Sequence, residues 1–168
     1  MNNELFILDQ DGFRTIFPYL KDIDASFLAP LLQDVQITNV KPLLGTDWYN
    51  ELILQASTNT LTTYNKAILD DYLCRPMAYF TYVNLIIEVH YDFTNKGVRA
   101  ATSVNSDYVN DEMVEEKRKF WQDKANNLQS EMLNYICTYP ERYPLYGTYG
   151  IDKQPTLPLL KKSKIYGI

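Results

Sequence analysis

The chain has 168 residues, a length that fits one domain with a core of its own. Apolar residues make up 46% and charged residues 22%, which excludes a wholly disordered, collagenous or low-complexity chain. The formal charge of −5 and a pI near 4.9 exclude a protein held to nucleic acid by a general positive field.

Residues 1–20 alternate loosely, with Leu5, Ile7, Phe13 and Ile16 apolar and Asp9, Asp11 and Gly12 forming a turn between them. This pattern predicts a short extended arm or a single strand. Asp22 or Asp24 then serves as a helix N-cap. Phe27, Leu28, Leu31, Leu32, Val35, Val40, Leu43 and Leu44 follow at mostly helical spacing. Pro30 fits this helix poorly unless it begins near Ala29, and Pro42 should kink its end. Gly45 suits the C-terminal cap, a position that needs a positive φ. Thr46 is read as the cap of a second short helix, with Trp48, Tyr49, Leu52 and Ile53 on one side.

After a polar break at 57–60, Thr62 or Thr63 opens a third helix through Tyr64, Ala67, Ile68 and Tyr72. Pro76 fits the first position of a fourth. That fourth helix is apolar nearly all round, from Met77 to Val89, and so should be the central one. It is expected to end near Thr94, with Asn95-Lys96-Gly97 as its stop. Residues 95–108 lack a helical stripe and read as a loop or small hairpin, a length at which loops tend to carry function. A fifth helix starts between Asp107 and Asp111. Its stripe is Met113, Phe120, Trp121, Leu128, Met132, Tyr135 and Ile136, and acid in its early turns with base later suits the helix dipole.

The character changes after Thr138. Tyr139, Tyr143, Tyr146 and Tyr149 stand among Pro140, Pro144, Gly147 and Gly150, and then Pro155-Thr-Leu-Pro-Leu-Leu160 leads to a lysine cluster. Such a segment cannot be helical, is too apolar to stay solvated, and should lie on its own body or on a neighbour. The division is therefore an N-terminal arm at 1–20, a helical bundle at 21–138 and an extended Tyr/Pro-rich arm at 139–168. The fold class is mainly α, a compact bundle of about five helices. Arg142, Lys153, Lys161, Lys162 and Lys164 stand against Glu141 and Asp152 in residues 139–168, a net +3 that leaves −8 for the rest. A basic tail on an acidic body suits a partner with an acidic groove, or simple solvation. The 14 tyrosines suit half-buried contact surfaces, and coding bias accounts for them equally well.

The search for chemistry finds little. Cys74 and Cys137 are too far apart in sequence for a zinc or redox pair and read as two buried free thiols in a reducing cytosol. His90 lies between Glu88 and Asp92, but neighbours two apart on a helix face different ways, so the three do not form a metal clasp. Asp70-Asp71 and Glu115-Glu116 are adjacent carboxylates, not a facing acid–base pair. Lys117-Arg118-Lys119 is short and embedded in acid. Neither a P-loop nor a dinucleotide fingerprint occurs. The start lacks the basic region of a signal peptide, and the run Met77–Tyr91 is shorter than the ~20 residues of a membrane span. The expectation is a soluble protein made in the cytosol, with no enzymatic activity, cofactor, metal or membrane.

The stretch from Ile37 through Lys41-Pro42-Leu43-Leu44-Gly45 to Trp48-Tyr49 and Leu52 resembles the first helical hairpin of tailed-phage head–tail connector proteins. In those proteins a helix runs into a Pro-x-Leu-Gly turn, and an aromatic and a Leu open the next helix. The likeness continues in order through Arg75-Pro76-x-Ala78-Tyr79, the Lys96-Gly97-Val98 loop, a long amphipathic helix and the Tyr-Pro-rich end. It covers roughly residues 24–146 and is nearest to connectors of Bacteroidetes and crAss-like phages and prophages.

The resemblance implies a structural protein of the virion neck. Such adaptors form a ring, usually dodecameric, beneath the portal, extend the DNA channel and dock the next neck or tail component. DNA would pass without specific binding, which an acidic body suits. The resemblance makes Lys96, Gly97, Arg99 and Tyr108 in the loop candidates for subunit or portal contact. In the arm it points to Tyr139, Tyr143, Tyr146, Tyr149, Leu157, Leu159 and Leu160, with Pro42 and Gly45 as a structural turn. The alternative is a phage-encoded helical module that binds a host protein through its Tyr-Pro arm.

Overall fold

The computed structural model describes residues 7–94, 97–100 and 111–146, and the side chains of those outside 90–100. Among them the chain is mainly α, in five continuous helical rods. The first is α1 (Gln10–Ile16). The second joins α2 (Ala25–Val35), a π-helical turn (Gln36–Val40) and α3 (Lys41–Leu44). The third is α4 (Thr46–Ser57). The fourth joins α5 (Thr63–Ala67), a π-helical turn (Ile68–Leu73) and α6 (Cys74–His90). The fifth is the 28-residue α7 (Asp111–Thr138).

Residues 10–20 correct the expectation of an extended arm. Asp9 accepts the Gly12 N–H at 2.8 Å and starts α1, and a 3-10 turn follows at Pro18–Leu20. The polar residues read as a turn are thus a cap and an exposed helix face. Phe13 and Phe17, four apart, enter the core.

Two prolines fall where the helix has already widened. Pro42 and Pro76 each donate no hydrogen bond, and in a regular α-helix each ring would press on the carbonyl four residues earlier, at Thr38 and Tyr72. Both of those residues lie inside π-helical turns. A wider turn moves the carbonyl away from the ring and keeps the rod continuous. Pro76 therefore does not open a new helix, and the expected third and fourth helices are one rod. Pro30 is likewise inside α2, on its exposed side.

The other ends follow local chemistry. Asp24 caps α2 by accepting the Ser26 N–H at 2.7 Å, and Thr62 caps α5 by accepting the Asn65 N–H at 3.1 Å. Gly45, with φ 81° and ψ 154°, joins α3 to α4. Its N–H reaches the Lys41 carbonyl and its own carbonyl accepts from Tyr49, both at 3.0 Å. Gly45 itself, not Thr46, is the N-cap of α4.

The near-uniformly apolar α6 is central, with α1, α2 and α7 packed around it. Met77, Ala78, Phe80, Tyr82, Val83 and Leu85 are all buried on it. It ends at His90, earlier than expected, because the chain turns into a hairpin of β1 (Tyr91–Thr94) and antiparallel β2 (Gly97–Ala100). The register pairs Tyr91 with Ala100 and Thr94 with Gly97. On α7 the inward stripe is Val114, Trp121, Ala125, Leu128, Met132 and Ile136. Met113 and Phe120, expected in it, are 56% and 53% exposed. Adjacent helical residues point about 100° apart, and with Trp121 turned into the core Phe120 falls on the outer edge of the stripe.

Candidate functional site

Two aromatic clusters sit at different levels of the antiparallel α6–α7 pair. The first surrounds Phe17, whose ring lies 4.8 Å from Tyr82, 5.3 Å from Trp121, 5.2 Å from Phe13 and 5.8 Å from Tyr79. Its outer side is open. Tyr19 is 62% exposed beside Tyr82, and Phe120 stands edge-on to Trp121 at 5.3 Å. Lys124 lies 4.4 Å over Phe120 and 4.7 Å over Trp121, and Lys117 lies 5.6 Å over Tyr82. The lysine ammonium groups themselves thus lie over the ring faces, a cation–π arrangement. The Tyr82–Trp121 and Tyr72–Tyr135 contacts set the register of the pair. That register brings exposed Val89 level with the first turns of α7.

The second cluster lies where the chain leaves α7. A 3-10 turn at Pro140–Arg142 bends it back over the bundle. Tyr143 is buried, its ring 5.3 Å from Trp48 and its hydroxyl donating to the Tyr64 carbonyl at 3.4 Å. Tyr146 packs edge-on to Trp48 at 5.8 Å, and Tyr139 against Tyr135 at 5.2 Å. The Arg142 guanidinium lies 4.1 Å over Tyr139 and 5.1 Å over Tyr64. Burial pushes the Tyr143 phenol above its ordinary range, with neighbouring Tyr135 adding to the shift. Burial also raises the Tyr146 phenol, and Cys137 beside it contributes. A groove lined by Ile136, Cys137, Pro140, Tyr143, Pro144 and Tyr146 opens at this end.

Polar side chains brace both regions. The Trp48 indole donates to Asn65 Oδ1 at 3.2 Å, and Asn65 donates to Gln55 Oε1 at 2.8 Å, tying α4 to α5. Gln36 is buried in the first π-turn, accepts the Ile7 N–H at 2.7 Å and donates to the Tyr49 hydroxyl at 2.8 Å. Of the two thiols expected to be buried, Cys137 is exposed and Cys74 is half-buried, its thiol reaching the Ile7 carbonyl at 3.9 Å. Burial, then the Asp70 and Asp9 carboxylates, push its pKa up to about 11, so it is a poor nucleophile at neutral pH.

The residues singled out for contact are scattered. Gly97 and Arg99 are on β2, paired with Thr94 and Asp92. Tyr143 is enclosed by its own domain, so it is corrected from a contact candidate to a core residue. Tyr139 and Tyr146 are half-buried on the body and retain some outward surface. Lys96, Tyr108, Tyr149, Leu157, Leu159 and Leu160 lie outside the described residues, as does the side chain of His90. The exposed set Tyr19, Val89 and Phe120 was missed. The adjacent pair Phe120-Trp121 was a signal, since the two rings point about 100° apart and one falls nearer the edge of the stripe. Among the described residues no three His, Cys, Asp or Glu side chains are placed to share a metal ion, and no helix is long and apolar enough to cross a membrane.

Comparison with known proteins adds a family and no relative of known activity. No curated protein and no solved structure matches the chain. Residues 40–150 match a family of unknown function (DUF6712). The match starts at the last residue of the first π-turn, just ahead of the Pro42–Gly45 corner, and runs through the central helix, the hairpin and α7 to the Tyr-Pro end. Because it spans more than half of the sequence, the chain belongs to this family of unknown function, DUF6712.

Proposed function

We propose that the protein is a structural subunit of a tailed-phage neck, a head–tail connector that assembles with its own copies into a ring under the portal. In this reading the ring extends the DNA channel and docks the next neck or tail component. The observation that carries the reading is the junction at the end of the central helix. There α6 passes directly into the β1–β2 hairpin with Val89 exposed, and about two turns back, level with Tyr82, Phe120 and Tyr19 expose further apolar surface. Exposed apolar surface of this kind favours contact with protein. The resemblance to connectors implies subunit or portal contacts in the 95–108 loop, which this hairpin enters, and in the 139–168 arm. The acidic body also fits, since like charge keeps passing DNA from being captured.

Native mass spectrometry over a concentration series, with negative-stain images of the same samples, tests the proposal. Closed rings, formed alone or on the cognate portal, are the expected result. Phe120→Asp should leave the helix content intact, because Phe120 is 53% exposed, and should weaken assembly at least tenfold. A chain that forms no ring alone and none with its portal overturns the reading. A one-to-one complex with a host protein would then favour the helical binding module.

A further inference from the structure

The groove at the end of α7 has Pro140, Pro144 and the half-buried Tyr146 as its accessible wall, buried Ile136 and Tyr143 beneath, and an exposed thiol, Cys137. Tyr146, the last described residue, is itself part of that wall, and 22 residues follow it. Those residues contain Pro155-Thr156-Leu157-Pro158-Leu159-Leu160, with lysines at 161 and 162. Two prolines three apart among leucines are the chemistry that aromatic-lined grooves recognise, because flat proline rings pack on tyrosine faces at low entropic cost.

We propose that this groove is the seat of residues 155–160 of the same chain. Reach permits it. Eight residues lie between Tyr146 and Pro155, enough to span roughly 26 Å when extended, and Gly147 and Gly150 among them allow the chain to reverse. Competition favours it over a second copy. A short linker holds its own segment at an effective concentration in the millimolar range, far above a micromolar solution of other chains. Charge agrees, since Lys161 and Lys162 would follow the docked segment onto a body of net −8. Docking also covers apolar side chains that would otherwise stay in water. The inference does not depend on the connector reading, because one chain suffices for it.

Cys137 reports on the groove directly. The Cys74 thiol, held protonated by its pKa of about 11, reacts slowly near pH 8, so maleimide modification followed by intact mass reads Cys137 in the full chain. An effective concentration of about 1 mM and a segment affinity of ~0.1 mM give roughly tenfold protection. Leu157→Asp with Leu160→Asp should remove that protection and raise the rate about tenfold, at unchanged helix content. Pro155→Gly, which keeps the leucines, should raise it by a smaller factor. Equal rates in all three chains overturn the proposal. Protection that grows with protein concentration also overturns it, because a second copy then fills the groove.

Discussion

The two ends of the described chain both fold onto the α6–α7 pair, and they do so by different means. Residues 10–17 form a capped helix that puts two phenylalanines into the centre of the bundle. Phe17 alone touches five other rings. Residues 139–146 cannot form an α-helix, because Pro140 and Pro144 interrupt it. They are held by one buried ring, Tyr143, flanked by two half-buried tyrosines and a guanidinium stacked on Tyr139 and Tyr64. A helix docks through a face, whereas a proline-rich segment docks through single anchors. The first end should therefore unfold with the whole domain, and the second should open by itself.

The largest expected effect is at the first end. Phe17→Ala leaves a cavity among five rings and should cost about 3–5 kcal/mol of global stability in denaturant unfolding. Native-state hydrogen exchange should then show α6 and α7 losing protection together. Loss confined to α1 would break the comparison. Tyr143→Ala comes next, at about 2–3 kcal/mol locally. Exchange should accelerate over 139–146 while α6 stays protected. An equal loss in both regions would show that the second end is part of the global unit.

Gly45→Ala tests the corner between the two regions. Space for a methyl group is open there, so the cost comes from backbone conformation alone. The φ of 81° with an extended ψ is nearly exclusive to glycine, and about 1–2 kcal/mol is expected. An unchanged midpoint in thermal unfolding would show that the corner relaxes freely.

Alkaline pH should give the smallest effect and separate the two ends. Folding raises the Cys74 pKa from 9.0 to about 11. Its contribution is present below pH 9 and lost as pH rises toward 11, because the unfolded chain ionises first. The thiol approaches the Ile7 carbonyl, so the N-terminal end loosens in this window. Folding also raises the Tyr143 phenol above its ordinary 10.0, so the C-terminal end loosens only above pH 10. Hydrogen exchange across a pH series should resolve the two steps once corrected for intrinsic rates. Cys74→Ala should abolish the first, and Tyr143→Phe should diminish the second, leaving the share of the raised Tyr146 phenol.

Much of the fold was legible because its signals are local. A cap at Asp22 or Asp24, another at Thr62 or Thr63, the glycine corner, the all-round apolar central helix and a loop or hairpin after it need only neighbouring residues to be read. The errors arose where the outcome depends on distant groups. Asp9 looks like a turn residue until Phe13 and Phe17 have a cavity to fill. Pro76 looks like a helix start until a π-turn upstream moves the Tyr72 carbonyl aside. Of the contact candidates, Tyr143 reads as an arm residue because nothing near it in sequence reveals Trp48, nearly a hundred positions earlier. The exposed Phe120 was hidden for the same reason, since periodicity alone does not say which of two adjacent rings faces the core.

The sequence by itself determined the class of structure: a mainly α chain, which helix is central and which glycine turns the chain. Those choices depend on backbone preference and on the period of apolar residues, which act over a few positions. Only the tertiary structure decided which tyrosines are core and which are surface, and whether an end segment is an arm or part of the body. Burial is settled by the shape of the space left by other helices, and that space exists only once the chain has closed on itself.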